Sequence, residues 1–364
     1  ESIRPARQGK HLRTRIDQRI QYLSYRTLKA AIQTHNSDSR SIVVLDVKTG
    51  EVLSVVNQPT YNPNYRSHFS AERYRNRAVT DIFEPGSSIK PLVVAAALES
   101  GEFRPSSIID TAPGYVTVGA KTIEDSRNLG RVSLTTILAR SSNVGVTKLA
   151  MSLQPDQLWQ TMTEFGLGSL TSSAFPGESA GLLTHFSNWK PISQATLAYG
   201  YGVSVTALQL AQAYSALGNG GRLNPVSLVA LETAADGRQV IAPDTATAVR
   251  RMLEEVVRPG GTGTKASVPG YRVAGKTGTA WKFAAGGYSE DKYISIFAGL
   301  APASDPQLAA VVVIDEPSGE LYYGSDVAAP VFADVMTEAL RLLAVPPDAL
   351  PARDPGSIMQ AMSR

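Results

Sequence analysis

Apolar side chains at Ile16, Ile20, Leu23, Leu28 and Ile32 recur at near-helical spacing before a polar stretch from Thr34 to Arg40, which predicts an amphipathic helix over residues 16–33. The period then shortens. Residues 41–47 and 52–56 are apolar runs rich in valine, and Lys48-Thr-Gly-Glu51 between them offers a turn, so a β-hairpin is predicted. Further on, Phe83-Glu-Pro-Gly86 breaks the chain, and a helix is predicted from Ser87 or its neighbour through Leu98. Serine favours a helix start, and Pro91 is tolerated where the first turn has no donors to lose. Residues 133–139 and 144–153 read as two short helices around Ser141-Ser-Asn143, and Gln194 to Leu217 as one further helical region.

From Tyr271 the pattern becomes β-rich again, with strands predicted from Tyr271, over Tyr293–Ala298 and over Ala309–Asp315. Val327 to Leu343 reads as a closing helix. Strands at both ends with helices between them predict an α+β fold, because the terminal strands must meet in one sheet to bury their apolar faces. Three segments follow: a basic linker or remnant of a preceding domain over 1–15, one catalytic-type domain over 16–346, and a poorly ordered Pro-containing tail over 347–364.

The 364 residues, 43% of them hydrophobic, suffice for a substantial core. The longest apolar runs, Pro91–Leu98 and Ile294–Ala301, fall far short of the roughly 20 residues a membrane-spanning helix needs. The chain begins at Glu1 and not at a methionine, so its first residues do not decide whether a natural start with a signal or anchor has been removed. Zero cysteines exclude disulfides, thiol nucleophiles and Cys-ligated zinc. His11, His35, His68 and His185 are scattered without metal-ligand spacing, so neither a metal nor a Ser-His-Asp triad is expected, and no cofactor is implied. Net charge is +3, with a basic cluster at Arg4, Arg7, Lys10, Arg13, Arg15 and Arg19. No aromatic residue interleaves with that cluster, so nucleic acid is not the expected partner.

Three short motifs carry chemistry: Ser87-Ser-Ile-Lys90, Ser141-Ser-Asn143 and Lys276-Thr-Gly-Thr279. Each alone is weak, because Ser187-Asn-Trp-Lys190, Ser289-Glu-Asp-Lys292, Ser126-Arg-Asn128 and Lys48-Thr-Gly50 match the same patterns. In serine acyl-enzymes the order is Ser-x-x-Lys, Ser-x-Asn, Lys-Thr-Gly, and that order leaves only Ser87 and Lys276. Ser126 remains allowed by order, and Ser141 is preferred to it for its place between two apolar helical runs. Three residues apart on a helix, Lys90 projects beside the Ser87 hydroxyl. A serine hydroxyl needs such a base, and a lysine serves only when its pKa is depressed, here by partial burial and by the Lys276 cation. Gly278 is expected to let an acyl ligand approach the strand, with Thr277 and Thr279 binding a carboxylate beside Lys276.

With Phe83-Glu-Pro-Gly-Ser-Ser-Ile-Lys-Pro91, Ser141-Ser-Asn-Val-Gly-Val146, Ala198-Tyr-Gly-Tyr-Gly-Val-Ser-Val-Thr206, Pro259-Gly-Gly-Thr-Gly-Thr264, Val273-Ala-Gly-Lys-Thr-Gly-Thr279 and Ala328-Ala-Pro-Val-Phe332, the chain resembles the class B penicillin-binding proteins. The septal group called penicillin-binding protein 3 is the nearest in pattern. The resemblance runs from about residue 12 to 350. It implies a β-lactamase/transpeptidase-like fold: an antiparallel sheet with helices on both faces and a large inserted helical subdomain. It implies that Ser87 is acylated with Lys90 as base, that Ser141 moves protons and Asn143 holds the substrate amide, and that Lys276, Thr277 and Thr279 bind the terminal carboxylate. The backbone N–H groups of Ser87 and Thr279 would form the oxyanion hole. Tyr201 and the Tyr322-Tyr323-Gly324 segment would line the cleft.

The function implied is a peptidoglycan D,D-transpeptidase of septal wall synthesis, acting on stem peptides ending in D-Ala-D-Ala and blocked by β-lactams. Such proteins work at the periplasmic face of the inner membrane. They meet other cell-division and glycan-polymerising proteins through a tail, membrane helix and pedestal domain that this chain largely lacks. D,D-carboxypeptidase activity and a non-catalytic β-lactam sensor or scaffold are the alternatives on the same fold. A β-lactamase needs a deacylating base; no Glu-x-x-x-Asn lies between the second and third motifs, leaving Glu178 as the nearest carboxylate.

Overall fold

The computed structural model describes residues 8–65, 70–233, 236–284 and 287–349; Arg4, Arg7, His68 and the tail from 350 onward lie outside them. Five antiparallel strands make the central sheet: β1 (Ser39–Asp46), β2 (Val52–Gln58), β3 (Ala274–Ala284), β4 (Gly287–Ala301) and β5 (Leu308–Asp315). Their spatial order is β3-β4-β5-β1-β2, so the N-terminal hairpin joins the C-terminal strands through the β1–β5 ladder, with Val43 opposite Val311. The turn of the first hairpin is where the sequence puts it: the Asp46 carboxylate accepts from the backbone N–H groups of Lys48 and Thr49.

The apolar runs of β1 and β5 are nearly continuous because both faces of the sheet are covered. Alternation still sorts them. Ile42, Val44, Val312 and Ile314 face one core, shared with helix α1 (Gln18–His35) and the closing helix, while Val43, Leu45, Ala309 and Val311 face a second core under the inserted helical subdomain. That insertion occupies the chain between β2 and β3. Its elements α2 (Lys90–Glu99), α3 (Leu134–Ala139), α4 (Asn143–Ser152) and α5 (Ala207–Gly218) carry or support the candidate site, and α6 (Ala329–Leu342) closes the far face. Burying each large aliphatic side chain of α5 against β1 and β5 contributes on the order of 1.5–3 kcal/mol, and every residue of α5 is buried.

Four local expectations change. The helix predicted from Ser87 opens as a 3₁₀ turn over Gly86–Ile89, and regular α-helix begins only at Lys90. The helical region predicted over 194–217 is two helices, Pro191–Leu197 and α5, because Gly200 adopts φ +91° and reverses the chain. The strand predicted from Tyr271 begins at Ala274, since the Arg272 N–H donates to the Asp348 carboxylate and its guanidinium pairs with Glu254 instead of joining a ladder. The closing helix is preceded by a separate turn over Gly324–Val327. Two small ribbons, Ile108–Asp110 with Arg131–Ser133 and Tyr115–Val118 with Lys121–Glu124, are absent from the pattern reading; at three or four residues each they are too short for a period of two to stand out. Among the described residues no helix is long and apolar enough to cross a membrane.

Candidate active site

The 3₁₀ turn bearing Ser87 is fixed from three sides. Phe83 exchanges both backbone hydrogen bonds with Val205, and Gly86 N–H donates to Gly200 O at 3.2 Å. From α5 the buried Tyr214 hydroxyl donates to Ser88 O at 2.8 Å. Close approach explains the glycine at 200: a Cβ there would lie 2.1 Å from Gly86 O. The Gly278 side is equally tight, because a Cβ would come within 2.8 Å of Pro85 O and 3.3 Å of Ser88 Cβ. The space expected there for a ligand is therefore filled by the turn that carries Ser87.

Lys90, fully buried, points away from solvent toward the second motif. Its ammonium donates to Ser141 O at 2.6 Å, Asn143 Oδ1 at 2.7 Å and Ser141 Oγ at 3.2 Å. Lys276, also fully buried on β3, donates to the same Ser141 Oγ at 3.0 Å and to Thr277 O and Oγ1 at 3.1 and 3.2 Å. Burial, then the neighbouring Lys276 cation, push Lys90 well below the ordinary lysine value, and Asp125 opposes them. Burial lowers Lys276 to about 7. Desolvation disfavours the charged form of each.

Ser141 holds this position at φ +58°, in a region unusual for a residue with a side chain. The strain is overcome by its surroundings: its N–H donates to Leu138 O, its carbonyl takes the Lys90 bond, and Ser142 N–H donates to Ile137 O. Ser142 caps α4 by accepting from Gly145 N–H. Asn143 Nδ2 donates to Glu124 O at 3.2 Å, which leaves Oδ1 for Lys90. Ser126, the competing second-motif serine, lines the same cleft but bonds to neither lysine.

Ser87, Ser141, Asn143, Thr277 and Thr279 line one cavity of about 530 Å³, together with Asp125, Arg127, Arg140, Thr262 and Tyr323. Thr277 Oγ1 lies 3.0 Å from Thr262 Oγ1, and Thr279 Oγ1 accepts from Gly324 N–H. Ser295 Oγ donates to Tyr322 O, so the 322–324 segment is pinned to the sheet on the same side. A second cavity of about 270 Å³ shares Ser87, Asn143 and Thr279 and is walled by Tyr199, Tyr201, Trp281, Tyr293, Tyr322 and Tyr323. The expected Tyr201 and Tyr322 are thus brought to the cleft with the three motifs. Gly278 borders neither cavity. Tyr199, Trp281, Tyr293, Thr262 and Asp125 were not anticipated. Trp281 had a readable signal, since Thr277, Thr279 and Trp281 alternate onto one face of a strand. Asp125 had none.

An antiparallel sheet covered by helices on both faces, with this cluster between its edge strand and the inserted helices, is the β-lactamase/transpeptidase architecture. The family model described as the penicillin binding protein transpeptidase domain matches residues 40–337, and the chain belongs to that family. It is 43% identical over 339 residues to the peptidoglycan D,D-transpeptidase FtsI of Escherichia coli K12, covering 93% of this chain and 57% of that one. It is 42% identical over 335 residues to the probable peptidoglycan D,D-transpeptidase PbpC of Pseudomonas aeruginosa, covering 92% and 59%. The chain therefore spans somewhat under two thirds of these relatives. Among solved structures, the apo TP domain of Burkholderia pseudomallei penicillin-binding protein 3 matches with a TM-score of 0.86 at 40% identity, covering 93% of this chain and 98% of that one.

Proposed function

We propose that this domain is a peptidoglycan D,D-transpeptidase that cross-links stem peptides through an acyl-enzyme on Ser87 and is acylated by β-lactams. The carrying observation is Ser141 Oγ, which accepts from two buried lysines of lowered proton affinity beside Ser87. In this reading neutral Lys90 takes the Ser87 proton as Oγ bonds to the carbonyl carbon of the penultimate D-Ala. The backbone N–H groups of Ser87 and Thr279 receive the developing oxyanion. The carbon–nitrogen bond then breaks, and the departing D-Ala amine regains a proton from Lys90 by way of Ser141. Lys276, Thr277 and Thr279 hold the terminal carboxylate, and Asn143 the donor amide. An amine of a second stem peptide attacks the ester, gives up its proton and releases Ser87.

Lys90 bonds to Ser141 and Asn143 and not to Ser87, and the proposed proton transfer requires that contact to tighten with substrate in place. Glu178 is not placed to serve as a deacylating base at Ser87, because it is engaged elsewhere. Its carboxylate accepts from Thr171 N–H and Oγ1 and from Ser173 Oγ, and it borders neither cavity. The names of the relatives support peptidoglycan as substrate, and the motif resemblance to the septal group supports septal synthesis as setting. The domain would act on the periplasmic face of the inner membrane, tethered and partnered with division proteins through preceding chain.

Intact mass followed over time with a penicillin, beside Ser87→Ala, tests the reading. A one-to-one adduct lasting many minutes and missing from the variant is expected. Rapid return to unmodified mass with drug consumed would indicate a hydrolase, and no adduct on the wild type would overturn acylation itself. A donor–acceptor peptide assay separates cross-linking from carboxypeptidase action and from a sensor.

A further inference from the structure

The Ser141–Asn143 wall is held by a carboxylate that belongs to none of the three motifs. Asp125 follows the second strand of the Tyr115–Glu124 hairpin, and its own N–H donates to Gly114 O at 2.9 Å. From there the carboxylate reaches the start of α4. Oδ1 accepts from Asn143 N–H at 2.5 Å and Val144 N–H at 3.1 Å, and Oδ2 accepts from Ser142 Oγ at 2.5 Å. These are donors that a helix N-terminus leaves unsatisfied, and a negative charge is favoured there. Asn143 is thereby gripped at its backbone by Asp125 and at its amide by Glu124 O, which aims Oδ1 at the Lys90 ammonium.

We infer that Asp125 is the positioning residue of the acylation machinery: its carboxylate fixes the Ser141–Asn143 wall against Lys90 and brings a negative charge to the site. The inference rests on the proposed acyl-enzyme for its kinetic consequence only. The groups that contact or act on Lys90 are Ser141 and Asn143 at the start of α4, Lys276 from β3 and Asp125 from the end of the hairpin. Asp125 shares its cavity with Arg127 and Arg140. Its charge is the one anionic influence among those acting on Lys90.

Two variants separate the roles. Asp125→Asn keeps an acceptor for both backbone N–H groups and removes the charge; Asp125→Ala removes both. Lysine-selective NMR of Lys90 and amide exchange at Asn143 and Val144 need no reaction, so they report even on a protein that no penicillin acylates. In Asp125→Asn the Lys90 titration, and with it the acid limb of penicillin acylation, moves to lower pH. In Asp125→Ala the amides of Asn143 and Val144 exchange faster, and acylation per folded molecule falls about 100-fold. An unshifted Lys90 titration in Asp125→Asn would overturn the charge role. Amide protection and acylation within twofold of wild type in Asp125→Ala would overturn the positioning role. A wild type that is never acylated would instead sink the proposed function while leaving both spectroscopic outcomes decisive.

Discussion

Lys90 and Lys276, 186 positions apart in sequence, donate to a single acceptor, the Ser141 hydroxyl oxygen, at 3.2 and 3.0 Å. Two ammonium groups so placed in a buried site cannot both hold a proton at their ordinary affinity. Their downward shifts therefore follow from the tertiary fold: Lys90 accepts a proton far less tightly than an ordinary lysine, and Lys276 is brought to about 7.

If Lys90 is the base, the second-order rate of penicillin acylation rises with pH through a midpoint well below the ordinary 10.5, as Lys90 loses its proton. Stopped-flow acylation with a chromogenic or fluorescent penicillin between pH 5 and 10 measures it. A rise centred near 10.5, or none, would remove Lys90 from that role.

Lys276→Met is expected to stabilise the protein, more at pH 6 than at pH 9. The folded-state value of about 7 lies below the unfolded 10.5, so between them the unfolded chain holds the extra proton and stability rises with pH. Below about pH 7 both states are protonated and the burial cost is fully present. The gain at pH 6 should exceed that at pH 9 by about 1–3 kcal/mol in urea unfolding, and acylation should fall if Lys276 holds the ligand carboxylate as proposed. Equal gains at both pH values would contradict the shift.

Gly200→Ala places a Cβ within 2.1–2.5 Å of the O, N and C atoms of Gly86, at a backbone φ of +91°. The expected cost is about 2–4 kcal/mol, with slower acylation because the turn carrying Ser87 must shift. Chemical denaturation and the acylation rate check this. Wild-type values in both would show that the close approach is not required.

Phe297→Ala should destabilise by about 3–5 kcal/mol. The Phe297 ring is fully buried, lies 4.7 Å from the Phe332 ring, and fills the space over Gly275, where a Cβ would come within 2.6 Å. It thus backs the strand segment that presents Lys276. Calorimetry gives the stability, and a loss below about 1 kcal/mol would mean that the site collapses around the missing ring.

The order of the three motifs, the hairpin from 41 to 56 and the apolar runs of β5 were legible because each depends on short-range pattern: a turn between apolar strands, a serine three positions before a lysine, a continuous buried strand. The 3₁₀ character at Ser87 was not legible, for it follows from Gly86 lodging against Gly200 and from the Tyr214 hydroxyl on Ser88 O. The break of the 194–217 region had the same origin, since a glycine within an apolar stretch reads as helix until a second chain segment needs its left-handed conformation. The sequence reads Gly278 as room for a ligand, whereas the packing fills that room with the turn that carries Ser87.

The residues by themselves determined which chemical groups are available and in what order they occur, since serine, lysine and asparagine spacing survives any folding. Only the tertiary structure decided which serine meets the lysines, Ser141 and not Ser126, and how far each lysine's proton affinity falls. Those are properties of through-space distance and solvent exclusion, set by β3 arriving beside α2 and α4, and no local pattern encodes them.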